Sequence, residues 1–285
     1  MKDLVVGILQ VLAPVCVALV VFAEGLGIAP KPVLTYFTER PWLMLRSLAA
    51  ALVLVPAASL AIILALKPAP SVAIGLAILV ACPPAPLMIK ATPKLGGGSA
   101  PFMACLHMSL ALLAFLSVPV VLDLLSIPLG FHAEVELGKM ASILGRTILL
   151  PIGVGMTVRA LLPSFADRFA PGLAKAGTAG LGVVVLFALV GLFPTLLETD
   201  QWSYLVIALV SAVALSIGHW LGPQDPAEQT TLAVESTVRH PALAFSIAAA
   251  SFSPEQAKPM LVPCVLTFII VATIYLLWRR KTLPA

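Results

Sequence analysis

Long apolar runs broken by short polar punctuation dominate the chain. Nine such runs are visible, at about 4–23, 42–64, 71–95, 100–125, 140–161, 172–196, 202–221, 226–251 and 257–278. Each is close to the ~20 residues that cross a bilayer as a helix, and no stretch between them is long enough for a soluble domain. The predicted fold class is therefore all-α: a polytopic membrane protein of about nine transmembrane helices, forming one integral membrane domain over residues 1–285. Helix starts are marked in places. Asp225-Pro226-Ala227-Glu228 supplies an N-cap, a proline at the first helical position and an acid at the third, and Ser253-Pro254-Glu255-Gln256 does the same for the last run.

Two of the runs contradict themselves. Run 71–95 contains Pro83, Pro84 and Pro86 near its middle, which removes the helical donors to the carbonyls of Leu79, Val80 and Cys82. In run 226–251, Pro241 removes the donor to the Thr237 carbonyl and pushes His240 out of the α region. Lipid cannot satisfy freed carbonyls, so both breaks must be covered by protein or line a cavity. Two interrupted helices, one in each half, predict an inverted-repeat transporter with its site at the crossing of the breaks. The first repeat would span about 4–125 and the second about 140–278.

Composition agrees with a membrane protein: 60% of residues are hydrophobic and 11% charged, against about 25% charged in soluble domains. The net charge of +4 does not point to nucleic acid, because the basic residues are scattered among loops. They report orientation instead. Lys31, Arg40, Arg46, Lys90, Lys94, Arg159, Arg168, Lys175 and the C-terminal Arg279-Arg280-Lys281 all fall on one side of a nine-span layout. That side is expected to be cytoplasmic, with the N-terminus outside, in the plasma (inner) membrane. The run 4–23 is longer than a signal-peptide core and is read as the first span. Cys16, Cys82, Cys105 and Cys264 lie in apolar runs without metal spacing and are read as buried thiols; no metal site or cofactor is expected.

The candidate chemistry lies in 231–244, which places Glu235, Arg239 and His240 inside an apolar run. Intramembrane charges cost roughly 2.5–3.5 kcal/mol each on insertion scales and favour a bundle interior or wet cavity. Glu235 and Arg239 stand at i and i+4, so an unbroken helix would pair them as a structural brace; with the helix broken they would instead form a binding site. Candidate site residues are Glu235, Arg239, His240 and Thr237 here, and Pro83, Pro84, Met88 and Lys90 at the first break. His107 in the fourth run is either a satisfied buried histidine or, with His240, a proton carrier. Lys90 either faces the site or snorkels to the interface. Gly96-Gly97-Gly98 is read as a flexible connection. Half-helix ends and Arg239 favour a small organic anion. An intramembrane enzyme using Glu235 and His240 would lack a nucleophile–base pair and a second close carboxylate; a non-transporting binding protein is the other alternative.

These motifs resemble a known family. Cys82-Pro83-Pro84, ending a half-span, and the stretch from Thr231 through Glu235 to Arg239-His240 are similar to the crossing-helix motifs of the bile acid:sodium symporter family. The resemblance implies a panel domain and a core domain working by alternating access, and a nine-helix member lacking the first helix of the first repeat. It also exposes departures. Where the family has polar oxygens that hold sodium, this chain has Pro84, Ala85, Pro86, Leu87, Met88 and Ile89; Met103 and His107 replace a Ser and a Thr; Ala51 replaces a Gln; and Arg239-His240 replaces a Gln-Asn pair. Glu235 remains. The resemblance thus implies an organic-anion transporter whose sodium sites are lost, running as a uniporter or linked to protons, with a sodium-coupled symporter as the alternative.

Overall fold

A computed structural model of the chain describes residues 2–86 and 88–282, apart from the side chains at 2–11, 30, 32, 89, 90, 185, 188, 189, 191, 192, 254 and 255. The helices in chain order are α1 (Lys2–Gly27), α2 (Pro30–Thr38), α3 (Pro41–Leu66), α4 (Pro70–Ala81), α5 (Met88–Gly96), α6 (Ala100–Leu129), α7 (Leu137–Leu161), α8 (Pro163–Leu197), α9 (Gln201–Leu221), α10 (Pro226–Thr237), α11 (Pro241–Ser251) and α12 (Pro254–Thr282). Each apolar run coincides with one long helix or with a broken pair, α4/α5 and α10/α11. Among the described residues, five unbroken helices are both long and apolar enough to cross a membrane: α3, α6, α7, α9 and most of α12. Large side chains such as Leu116, Ile127 and Trp220 face outward on the bundle, as a lipid-facing surface requires and a soluble one avoids.

Local chemistry sets the helix starts. Seven helices begin with proline at the first helical position (α2, α3, α4, α8, α10, α11 and α12), where the missing N–H has no intrahelical partner to lose. Asp225 Oδ1 accepts from the amides of Ala227 and Glu228, both at 2.9 Å. Asp200 Oδ1 accepts from Ser203 at 2.8 Å, and the Ser203 bonds hold that carboxyl below its usual range. At α12 the side chain of Gln256 reaches back to the Ser253 amide at 3.0 Å, which is half of a capping box.

Packing falls into two groups. Helix α1 lies along α7 and α8, while α3, α4, α5, α6 and α9 to α12 pack around one another. Where α1 crosses α7, Gly25 and Gly155 let the two backbones touch, the small-residue contact that membrane helices use. In the second group α4 is the enclosed element: Leu76, Ile78 and Leu79 pack among Val206 and Val210 of α9, Ala114 of α6, and Leu261 and Phe268 of α12. A methyl group at Gly75 would be driven into the Met260 carbonyl of α12. Gly75→Ala is therefore expected to cost about 1–3 kcal/mol, the usual cost of overpacking, read as a lowered unfolding temperature in detergent.

Three local features depart from the sequence expectations. Helix α2 was not foreseen. Its Tyr36 hydroxyl donates to Glu228 Oε1 of α10 at 2.8 Å, and Arg40 pairs with the same carboxylate; burial first, and then the nearby Glu228, push the Tyr36 hydroxyl up to about 12. The glycine connection expected to be flexible is tied down instead: Gly98 donates to Thr92 O at 3.2 Å, and Ser99 donates to Ala227 O at 3.2 Å and to Thr231 Oγ1 at 2.9 Å. Only Gly97 there takes a positive φ, at 67°. Lastly, α3 and α7 each widen into a π-turn, at Ala50–Leu54 and Gly145–Leu149, followed by Pro56 and Pro151.

Candidate functional site at the crossing of the broken helices

The two breaks meet. Residues 82–86 and 238–240 run antiparallel and exchange backbone hydrogen bonds: Ala85 N–H donates to Val238 O at 3.0 Å, and His240 N–H donates to Pro83 O at 2.8 Å. Cys82, Pro83, Pro84, Ala85 and Pro86 are all buried, as are Thr237 to His240. His240 takes φ −72° and ψ 103°, the extended conformation that a following proline imposes.

Each break releases carbonyls, and a single side chain collects them. Arg239 Nη1 donates to Cys82 O at 3.3 Å, while Nη2 donates to Ser236 O at 2.9 Å and Ala51 O at 3.2 Å. All three oxygens are free for stated reasons. The residue four beyond Cys82 is Pro86, which has no N–H. The amide four beyond Ser236 is that of His240, which is spent on Pro83. At the π-turn Val55 donates to Ala50, so the amide due to Ala51 belongs to Pro56, which again has none. Leu79, also predicted to lose its donor, accepts from Cys82 N–H at 3.1 Å instead. Arg239 itself is 2% exposed.

Glu235 has a different partner from the one its spacing suggested. His107 Nδ1 lies 3.0 Å from Oε1 and 2.9 Å from Oε2 of Glu235, with both side chains at 1% exposure or less. The direct i and i+4 pairing that an unbroken helix would give is absent: α10 ends at Thr237, so Arg239 is not on the helical face that carries Glu235 and balances its charge without a hydrogen bond to it. His240 is corrected as a mobile proton carrier too. Its Nδ1 accepts from Leu243 N–H at 3.3 Å, capping α11, and its Nε2 lies 3.3 Å from Thr147 Oγ1. Both ring nitrogens are engaged. Thr237 Oγ1 donates to Ala233 O at 2.8 Å, and Met88 packs among Ala85, Val234, Val238 and Leu276. Neither presents a free polar atom to the crossing. The side chain of Lys90 lies outside the described residues.

A second feature was missed from sequence. A cavity of about 840 Å³ lies along α1, α7 and α8, lined by Leu26 of α1, Arg159 of α7, and Asp167 and Lys175 of α8, with Lys94 of α5 reaching it from the other packing group. Arg159 pairs with Asp167, which leaves Lys94 and Lys175 to set the sign of the lining. The available signal was that all three cations fell on one side of the span layout. Their convergence needed the helix packing.

Among the described residues, no group of three or more His, Cys, Asp and Glu side chains is placed to hold a metal ion. The description of the sodium bile acid symporter family matches residues 14–198, more than half of the 285-residue chain. The chain belongs to that family. Membership places it among membrane transporters rather than enzymes, and supports the resemblance seen in the motifs. The matched residues include the first break, with its released carbonyls, and His107; the stretch from Glu235 to His240 lies beyond them. None of the curated proteins compared with the chain matches it.

Proposed function

We propose that the protein is a secondary transporter that moves a small organic anion by alternating access and does so without sodium. The observation that carries this is the Arg239 guanidinium on the carbonyls of Cys82, Ala51 and Ser236. Carbonyls released by unwound transmembrane helices are the groups that transporters use to hold sodium. Here a permanently charged, fork-shaped donor already fills them. Ala85, Met88 and Met103 are apolar and buried and add no side-chain oxygen, so the side-chain oxygens left near the crossing are those of Glu235, Ser236 and Thr237. A sodium ion would have to displace the guanidinium, so the residues present do not fit it.

The anion follows from charge. Arg239 and Glu235 balance at the crossing, while Lys94 and Lys175 give the cavity along α1, α7 and α8 a positive sign. In this reading α1, α7 and α8 form the panel and the other packing group the core, as in two inverted repeats, and their relative movement exposes the crossing to either side. The Arg279-Arg280-Lys281 end is cytoplasmic and the N-terminus outside, in a nine-pass plasma (inner) membrane protein. The experiment is uptake of a panel of labelled carboxylates, sulfonates and phosphate monoesters into proteoliposomes. At least one is expected to enter saturably, at a rate unchanged when choline replaces sodium at fixed pH. Consumption of the compound would mean an enzyme, and binding without entry a non-transporting protein. Entry with steep, saturable sodium dependence would restore the sodium-coupled alternative.

A further inference from the structure

We propose that His107 and Glu235 form a proton-binding site, with His107 Nε2 taking up one proton when an anion is carried and giving it back when the anion leaves. This rests on the transporter reading and names its coupling ion.

The geometry fixes where the proton goes. An ionised carboxylate only accepts hydrogen bonds, so with Nδ1 within 3.0 Å of both Glu235 oxygens, the hydrogen of neutral His107 sits on Nδ1. Nε2 then carries the lone pair. It is buried and has no hydrogen-bond partner among the described residues, a state that buried polar atoms rarely keep without a reason. Protonation forms the Nε2–H bond, leaves Nδ1–H on Glu235, and turns the ring into a cation that the carboxylate stabilises.

The surrounding charges make that step conditional. Arg239 and His240 at the second break, and Cys82 at the first, are the ionisable groups in electrostatic reach of the pair or of each other. His240 is neutral by its hydrogen bonding, since Nδ1 accepts while capping α11. Glu235 and Arg239 already balance. On the helices packed against α6 and α10, Arg279 is bonded to Thr230 and Pro226 O, and His219 to Tyr275; Arg46 of α3, Lys94 of α5 and Arg146 of α7 are further cations. A proton on His107 therefore leaves an unbalanced buried positive charge and an Nε2–H with nothing to accept it. An arriving anion supplies both the negative charge and the acceptor. Proton and anion then favour each other's binding, and such a linkage is necessarily reciprocal.

The test uses the full chain in lipid nanodiscs with histidines labelled in nitrogen-15. The chain has four histidines, and the His107 signals are assigned by their loss in His107→Gln. Should that variant not fold, the triple variant His132→Gln/His219→Gln/His240→Asn leaves His107 as the one reporter. Expected is a neutral ring protonated at Nδ1 at the alkaline end of a pH series that becomes doubly protonated at its acid end. In Glu235→Gln the doubly protonated form should be at least about tenfold rarer at the same pH, since a lost opposite charge moves such equilibria by a unit or more. A His107 that keeps one neutral tautomer throughout, or titrates alike in wild type and Glu235→Gln, overturns the proposal. The transport reading is judged separately. An inward proton gradient should speed uptake of the active anion by wild type and not by His107→Gln. Equal acceleration of both overturns the coupling role, whereas a titrating site in a protein that takes up no anion overturns the transporter assignment alone.

Discussion

Arg239→Gln is expected to cost about 3–5 kcal/mol of stability, the range for removing one member of a buried charge set. Two effects add in the same direction. The carbonyls of Cys82, Ser236 and Ala51 lose their donor, and each buried carbonyl left unpaired costs about 1–3 kcal/mol before relaxation. Glu235 also loses the cation that balances it across the site. The double variant Glu235→Gln/Arg239→Gln removes the lone charge but not the orphaned carbonyls, so it should recover only part of the loss. Arg239→Lys is the sharper comparison. It keeps the charge, but a compact ammonium cannot reproduce a planar fork that reaches three oxygens from two nitrogens. Thermal unfolding of the four proteins in one detergent decides between the roles. A lysine variant as stable as wild type would mean that charge alone matters at this position.

Removing His107 should also destabilise and should carry a pH signature. In His107→Leu the Glu235 carboxylate stays buried and loses its hydrogen-bond donor, at a cost of about 1–3 kcal/mol or more when ionised. Protonating that carboxyl removes the buried charge, so the folded variant takes up a proton more readily than the unfolded chain. Its stability should accordingly rise as pH falls and decline as pH rises. Glu235→Gln/His107→Leu removes the buried charge and should lose that dependence. Unfolding temperatures measured between about pH 5 and about pH 8 read both effects; a His107→Leu variant with the same pH profile as wild type would place the Glu235 charge elsewhere.

The breaks were legible because proline acts locally. Pro83, Pro84, Pro86 and Pro241 each delete a hydrogen bond at a fixed offset, and the observed helices end at Ala81 and Thr237 as that deletion requires. Membrane-length helices were legible for the same kind of reason, since hydrophobicity is a property of the run itself. Partnership was not. The i and i+4 spacing pointed Glu235 at Arg239, whereas its partner is 128 residues away on α6, and no local rule connects them. The third carbonyl of the Arg239 cage had a signal that went unused. Pro56 inside the second apolar run withholds the amide due to Ala51, and the π-turn that accommodates it aims that carbonyl at the guanidinium. Helix α2 is only nine residues long and gave no periodic stretch to read, although Pro30 marks its start.

Whether the resident guanidinium keeps a cation off the released carbonyls can be measured without knowing the substrate. A ligand that binds only the folded state raises stability by RT ln(1 + [L]/Kd), about 2.7 kcal/mol at a hundredfold excess over Kd. The measurement is the unfolding temperature of the purified wild-type chain while sodium replaces choline at constant ionic strength and pH. A flat line is expected for wild type. A saturable rise with sodium would contradict it, because the ion would then be entering a site that Arg239 is held to fill.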